Sequence, residues 1–180
     1  MKLCIISSSL NPKSRSALLA QIALGDLRQL KADVDWIDLR EHPMPLCDGS
    51  SVYQHETVKD LAARISAAQG ILVATPVYNY DINAALKNLL ENTGRQAWQN
   101  KIVGFIASAG GDGSYMSLMP FANSLMLDFR CVIVPRFVYS TYGDFTSDTI
   151  DENGELRRRI AELSQTLHRF THALSQAPSP

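Results

Sequence analysis

Three short stretches hold most of the residues able to do chemistry. The first, Ser7 to Ser16, reads Ser-Ser-Ser-Leu-Asn-Pro-Lys-Ser-Arg-Ser and runs into a helix-forming segment. A helix N-terminus carries N–H groups without partners and a partial positive charge; with hydroxyls, an amide and two cations around it, it suits a phosphate monoester. The plainer alternative is a serine N-cap with solvated basic neighbours. The second stretch, Thr75-Pro76-Val77-Tyr78-Asn79-Tyr80-Asp81, sets two tyrosines and an asparagine directly after an apolar run. Flat rings beside amides offer contact and edge hydrogen bonds to a planar heteroaromatic ligand, although they would equally well cover the end of a sheet. The third, Ser108-Ala109-Gly110-Gly111-Asp112-Gly113-Ser114, is dense in glycine, so backbone amides can approach a ligand with no Cβ in the way.

Other chemistries are poorly served. No GxxxxGK motif occurs, and the late glycines do not form GxGxxG, so neither a P-loop nor a Rossmann fingerprint is present. The three cysteines, Cys4, Cys47 and Cys131, lack CxxC spacing, and no disulfide framework or zinc site is expected. Cys4 and Cys131 fall in predicted strands and read as inert core, whereas Cys47 falls in a loop. His168 and His172 are four apart on a predicted helix, but Arg169 breaks any HExxH pattern and no third ligand is evident. No metal site and no side-chain nucleophile are expected. Arg157-Arg158-Arg159, between Glu155 and Glu162, reads as an exposed, partly paired stretch.

The elements that must position these loops follow from periodicity. Leu3 to Ile6, Val34 to Ile37, Ile71 to Ala74, Ile102 to Ala107 and Cys131 to Val134 are apolar runs of strand length. Pro76 is expected to end the third and Pro135 the fifth. Helical spacing recurs over Ser16 to Leu30, Thr57 to Ala68, Asn83 to Glu91, about Tyr115 to Asp128, and Glu155 to Leu174. Alternation of this kind predicts an α/β fold with a parallel sheet and helices on both faces. Five strands in a chain of this length suit a flavodoxin-like three-layer sandwich, strand order 2-1-3-4-5. The loops after strands one, three and four then leave one edge of the sheet, where ligands bind in such folds.

At 180 residues and 46% hydrophobic composition the chain is sized for one domain, expected over 1–176, with a disordered tail at 177–180. A net charge of −1 gives no long-range field for nucleic acid or anionic lipid. No stretch approaches the ~18 apolar residues of a membrane span, and no signal-like segment is evident, so a soluble cytoplasmic protein is expected.

Together the three loops resemble those of the NAD(P)H-dependent FMN reductase family, flavodoxin-like flavoproteins that include quinone, azo-dye and chromate reductases. The first loop is similar to the family's G-S-x-R-x-x-S, with Ser9 on its first serine and Ser14-Arg15-Ser16 on an S-R-S variant. The second resembles T-P-x-Y-N followed by L-K-N, matched by Thr75 to Asn79 and Leu86-Lys87-Asn88. The third is similar to the glycine-rich turn that borders the flavin. The chain departs at Ser8, where glycine is usual, and at Asn11, where arginine is usual; Lys13 and Arg15 are expected to replace that charge. Asp81, Asn83 and Ala84 stand where many members have Ser, Pro and Gly.

The resemblance implies FMN as cofactor and NADPH or NADH as hydride donor, with a quinone, flavin or similar small molecule as acceptor. It implies that Ser9, Asn11, Ser14, Arg15 and Ser16 hold the FMN phosphate, that Pro76, Val77, Tyr78 and Asn79 line one side of the ring system, and that Ser108, Gly110, Gly111 and Gly113 meet its pyrimidine edge. The chemistry would reside on the flavin. An electron carrier of flavodoxin type and a non-catalytic FMN-binding redox module are the alternatives; 17 basic against 18 acidic residues weighs against an acidic carrier. Met116, Met119, Phe121, Leu125, Met126, Leu127 and Phe129 make the fourth helix apolar around much of its circumference, which points either to a homodimer interface or to a helix tucked under the terminal one; the resemblance implies a homodimer or homotetramer.

Overall fold

The computed structural model describes residues 1–147 and 149–175. Its elements run β1 (Lys2–Ser7), α1 (Arg15–Gln29), β2 (Asp33–Asp38), α2 (Glu56–Ala67), β3 (Gly70–Tyr78), β4 (Asp81–Ile82), α3 (Ala84–Trp98), β5 (Ile102–Ser108), α4 (Met119–Leu127), β6 (Val132–Ile133), β7 (Val138–Ser140) and α5 (Glu155–Ser175). Short 3-10 turns at Ser51–Gln54, Asp112–Leu118 and Tyr142–Asp144 join them. The proposed tail at 177–180 lies outside the described residues.

The parallel strands stand in the order β2-β1-β3-β5-β6, with β7 beside β5 as well, which is the expected flavodoxin-like order. The strand count differs from five for two local reasons. The fifth strand is broken: Val132 and Ile133 pair with Ile102 and Val103, and pairing resumes at Val138 to Ser140 opposite Ile106 to Ser108. Pro135 and the left-handed Arg136 (φ 66°) make the break, and the chain returns to the sheet beyond it. The other addition is β4, which folds back antiparallel on the end of β3.

That hairpin also corrects the expectation for Pro76. Strand β3 continues through it to Tyr78, with Pro76 in register with Ser108 of β5. The last β1 residue in register is Ser7, opposite Ala74, so past that point β3 is an edge toward β1 and a residue without an N–H is tolerated. The fourth helix likewise starts later than expected, because residues 112–118 form a 3-10 stretch before α4. Helix α3 runs seven residues beyond Glu91, crossing Gly94 at φ 69°, a kink that glycine accommodates at no steric cost.

Each β1 side chain alternates between two cores. Cys4 and Ile6 join Leu61, Ile65, Leu86, Leu89, Phe105, Phe121 and Leu125 under α2, α3 and α4. Leu3 and Ile5 join Leu19, Ala23, Leu27, Ile160, Leu163 and Leu167 under α1 and α5. Helix α5 comes so close to β3 that a Cβ on Gly70 would lie 2.3 Å from Thr171 Oγ1. The arginine run at its start is less exposed than expected. Arg158 pairs with Glu155 and Glu162 as its spacing implies, but Arg157 donates across to Asp26 of α1 at 2.6 and 2.9 Å, and Arg159 donates to the Phe137 carbonyl. Cys4 and Cys131 are buried; burial pushes their thiols up to about 12 and about 11, helped in Cys4 by the charge of Asp35, so both stay protonated. No helix among the described residues is long and apolar enough to cross a membrane.

Candidate functional site

Parallel strands deliver their following loops to one edge, and here five loops meet there, after β1, β2, β3, β5 and β7. They enclose a cleft of about 930 Å³, within the usual range for a small-molecule site. Of the thirteen residues singled out from sequence, Ser9, Asn11, Ser14, Arg15, Ser16, Pro76, Val77, Tyr78, Asn79, Ser108 and Gly110 line it. Gly111 and Gly113 instead line an adjoining pocket of about 440 Å³ that shares Val77, Asn79 and Gly110 with the cleft. Asp112 lines neither.

The β1 loop is shaped by its own side chains. Ser9 Oγ accepts from the Asn11 N–H, Asn11 Oδ1 accepts from the Lys13 N–H, and Ser14 caps α1 by accepting from Ala17 N at 3.1 Å. Ser14 and Ser16 hydroxyls lie 3.0 Å apart. The Arg15 and Ser16 amides belong to the first turn of α1, which has no intrahelical acceptors for them. Lys13, Arg15 and Arg40 all line the cleft, and no carboxylate is among its described lining residues.

Arg15 decides what this end can hold. Its guanidinium lies 4.1 Å from the centre of the Tyr142 ring and 5.0 Å from that of Phe145, a stacked position on the loop after β7. Its Nη1 is buried and has no hydrogen-bond partner among the described residues. A charged donor left in that state is costly unless an anion meets it. A phosphate monoester fits this donor set, and the apolar, aromatic surface of Pro76, Val77 and Tyr78 further along the cleft fits a flat ring.

Arg40, Tyr142 and Phe145 are among the lining residues that the sequence reading missed, as are Gln21 and Ser147. Arg40 is held by Asp38, with Nε to Oδ1 at 3.0 Å and Nη2 to Oδ2 at 2.5 Å, and its Nη1 reaches the Pro12 carbonyl at 3.4 Å. Burial alone would raise the Asp38 carboxyl, but hydrogen bonds from the Arg40 side chain and backbone outweigh it and hold Asp38 below the usual carboxylate range. The pair pins the phosphate-side loop to the end of β2. Tyr142 and Phe145 follow β7, the half-strand beyond Pro135.

The second and third loops are fastened from behind. Asn83, buried before α3, accepts from Ser8 Oγ at 2.8 Å and from Thr75 Oγ1 at 3.1 Å and donates to the Ser8 carbonyl at 2.7 Å. In the hairpin, Asn79 (φ 52°) and Tyr80 (φ 62°) both occupy the left-handed region. On the glycine-rich side, Tyr139 Oη donates to the Gly111 carbonyl at 2.5 Å and lies 2.6 Å from Ser114 Oγ. The Tyr115 and Tyr139 rings meet edge to face, with centroids 5.5 Å apart.

With this geometry in place, the matches to known proteins carry a clear meaning. The family model of NADPH-dependent FMN reductases matches residues 1–144. The chain belongs to that family. An NAD(P)H-dependent FAD/FMN reductase of Geobacillus thermodenitrificans is 28% identical over 168 residues, covering 91% of this chain and 90% of the relative. An FMN-dependent NADPH-azoreductase of Staphylococcus haemolyticus is 32% identical over 173 residues, covering 89% and 90%. An oxidoreductase of Corynebacterium diphtheriae superposes with a TM-score of 0.75 at 21% identity, over 96% of this chain and 97% of that one, and so shares the fold. As a family member the chain is an NAD(P)H-dependent oxidoreductase whose cofactor is FMN.

Proposed function

We propose that this oxidoreductase passes electrons from NADPH or NADH, by way of FMN held in the cleft, to a quinone, flavin or similar small acceptor. The observation that carries the assignment of the site is Arg15, the first residue of α1, which lines the cleft with Lys13 and Arg40 and whose buried Nη1 has no hydrogen-bond partner among the described residues. Ser9, Asn11, Ser14, Arg15 and Ser16 hold the phosphate. Lys13 and Arg40 add positive charge, which answers the missing arginine at Asn11. Pro76, Val77, Tyr78 and Asn79 support one side of the ring, and Ser108, Gly110, Gly111 and Gly113 border its pyrimidine edge. Bound FMN supplies the hydride chemistry, so no side chain need act as nucleophile or base. The chain orients the ring, and its backbone N–H groups stabilise negative charge at the pyrimidine edge, as an oxyanion hole does.

The protein acts in the cytoplasm as a homodimer or homotetramer. Support for association comes from Met116 and Leu127, which are 63% and 76% exposed on the 3-10 stretch and α4.

Purified protein is expected to be yellow, to be bleached anaerobically by NADPH or NADH, and to turn over steadily with a soluble quinone. Such turnover separates an enzyme from an electron carrier and from a non-catalytic FMN module. Reversing charge with Arg15→Glu should weaken FMN binding at least 100-fold by fluorescence titration, since hydrogen bonds to charged groups are worth about 1.5–3 kcal/mol before repulsion is added. Unchanged affinity would remove Arg15 from the phosphate site, and a protein that neither binds FMN nor oxidises NAD(P)H would overturn the assignment.

A further inference from the structure

The segment after β7 is fastened at both ends. Ser140 is buried at the end of the sheet, where its carbonyl accepts from the Ala109 N–H at 2.9 Å and its hydroxyl donates to the Ala107 carbonyl at 3.1 Å. Further on, Phe145 packs against the core under α1 and α5. Between these anchors the backbone is shaped by its own groups. Asp144 Oδ2 accepts from the Thr141 N–H at 2.7 Å and from the Thr141 hydroxyl at 3.2 Å, and the Phe145 N–H donates to the Tyr142 carbonyl at 3.4 Å.

From this frame Tyr142 reaches across the cleft. The Arg15 guanidinium lies 4.1 Å from the centre of its ring, and a Cβ on Gly110 would lie 3.5 Å from its Cε2. One side chain therefore connects the first residue of α1 with the turn after β5, and all three residues line the cleft. The fold does little to hold the ring there. It is 64% exposed, so burial contributes little, and a cation–π contact at an exposed site is a weak tie. A bulky group on a firm base, lying over a cleft and weakly held, is suited to swing aside.

We propose that residues 141–145 form a strap across the FMN site and that Tyr142 is its latch, setting how fast the cofactor enters and leaves. The inference rests on the function proposed above and adds regulation of the same site. A cofactor with its phosphate at Arg15 and its ring edge at Gly110 passes the Tyr142 ring on the way in and on the way out. The contacts that close the latch are made within the protein and must be broken in both directions. The strap thus slows entry and exit alike and leaves affinity nearly unchanged, which favours a resident cofactor over one exchanged at each turnover.

The test dilutes FMN-loaded wild type, Tyr142→Ala and Tyr142→Phe and follows the fluorescence of released flavin. The rate gives koff, the final amplitude gives Kd, and their quotient gives kon. In Tyr142→Ala koff should rise about 5-fold, the rate equivalent of an exposed cation–π contact, with Kd within about twofold of wild type, so that kon rises with it. Tyr142→Phe keeps the ring and should keep both rates within about twofold. Both variants should melt within about 2 °C of wild type, because the position is largely exposed. A faster release matched by a proportionally weaker Kd would make Tyr142 a contact to the cofactor and overturn the latch. Unchanged release in Tyr142→Ala, a Tyr142→Phe as fast as Tyr142→Ala, or a melting temperature lowered well beyond that range would overturn it too. With a wild type that retains FMN, these outcomes overturn the strap alone. A wild type that binds no FMN overturns the function and the strap together.

Discussion

Ser8 and Asn83 are 75 residues apart in sequence and form one structural feature. Both depart from the pattern that the family resemblance sets, glycine at the first and proline at the second, and the departures answer each other. A serine at position 8 brings a buried hydroxyl that must be satisfied, and Asn83 satisfies it while also accepting from Thr75 and donating to the Ser8 carbonyl. The loop that faces the phosphate and the loop that faces the ring are thereby fixed to each other. Asn83→Ala would leave the buried Ser8 carbonyl without its side-chain donor and the Ser8 and Thr75 hydroxyls with only the Ala74 and Pro76 carbonyls, each at 3.1 Å, at a cost of about 1–3 kcal/mol. Thermal unfolding should register it, and FMN should bind more weakly than to wild type, because both loops loosen. The double variant Ser8→Gly with Asn83→Pro, which restores the family pairing, should recover most of that stability; an additive loss in the double variant would show that the two positions are not coupled.

Strand β2 carries two acids that act at the level of the element. Asp38, at its C-terminal end, holds Arg40, and Asp35 holds Arg64 of α2 at 2.7 Å. Hydrogen bonding from Arg64 lowers the Asp35 carboxyl, and hydrogen bonding from Arg40 lowers Asp38 against the opposing effect of burial. Each acid is therefore more acidic folded than unfolded. The stability they contribute is complete above the unfolded value near 3.8 and is lost as pH falls through the lower folded values. Asp38→Asn should cost about 1–3 kcal/mol near pH 7 and flatten part of the acid limb of a stability-against-pH curve. A limb of unchanged steepness would show that Asp38 does not contribute to it. At this same scale the limits of sequence reading are plain. Three of the loops at the site were legible, because Leu3 to Ile6, Ile71 to Ala74 and Ile102 to Ala107 are continuous apolar runs that a parallel sheet requires. The loop after β7 was not, because Pro135 and Arg136 interrupt the last strand and its second half, Val138–Ser140, is three residues long. Tyr142 and Phe145 were hidden with it, and Arg40 was hidden because its role depends on a buried Asp38 holding it and on the Pro12 carbonyl accepting from it. The β4 hairpin was missed for a different reason: Asn79-Tyr80 lacks the glycine that marks such turns.

Taken as a whole, the molecule satisfies both faces of its sheet from within one chain, yet leaves apolar surface uncovered at the end of the sheet where β5 meets α4. Leu118, Phe121, Ala122 and Leu125 form the buried stripe of that segment, as helical spacing requires. Met116, Met119 and Met126 lie off that stripe and are 63%, 38% and 39% exposed, with Leu127 more exposed still. A second copy of the chain covering this surface would remove the four side chains from water. Methionine suits such a contact, being flexible enough to fill an irregular gap. The segment is also continuous with Gly113 and Ser114, so association would brace the glycine wall of the smaller pocket. Leu127→Glu combined with Met116→Glu places two charges on this surface without touching either core. Light scattering at micromolar concentration should then give the mass of one 19.9 kDa chain where wild type gives a multiple of it. A wild type that is already monomeric, or a double variant that still associates, would show that this surface does not carry the contact.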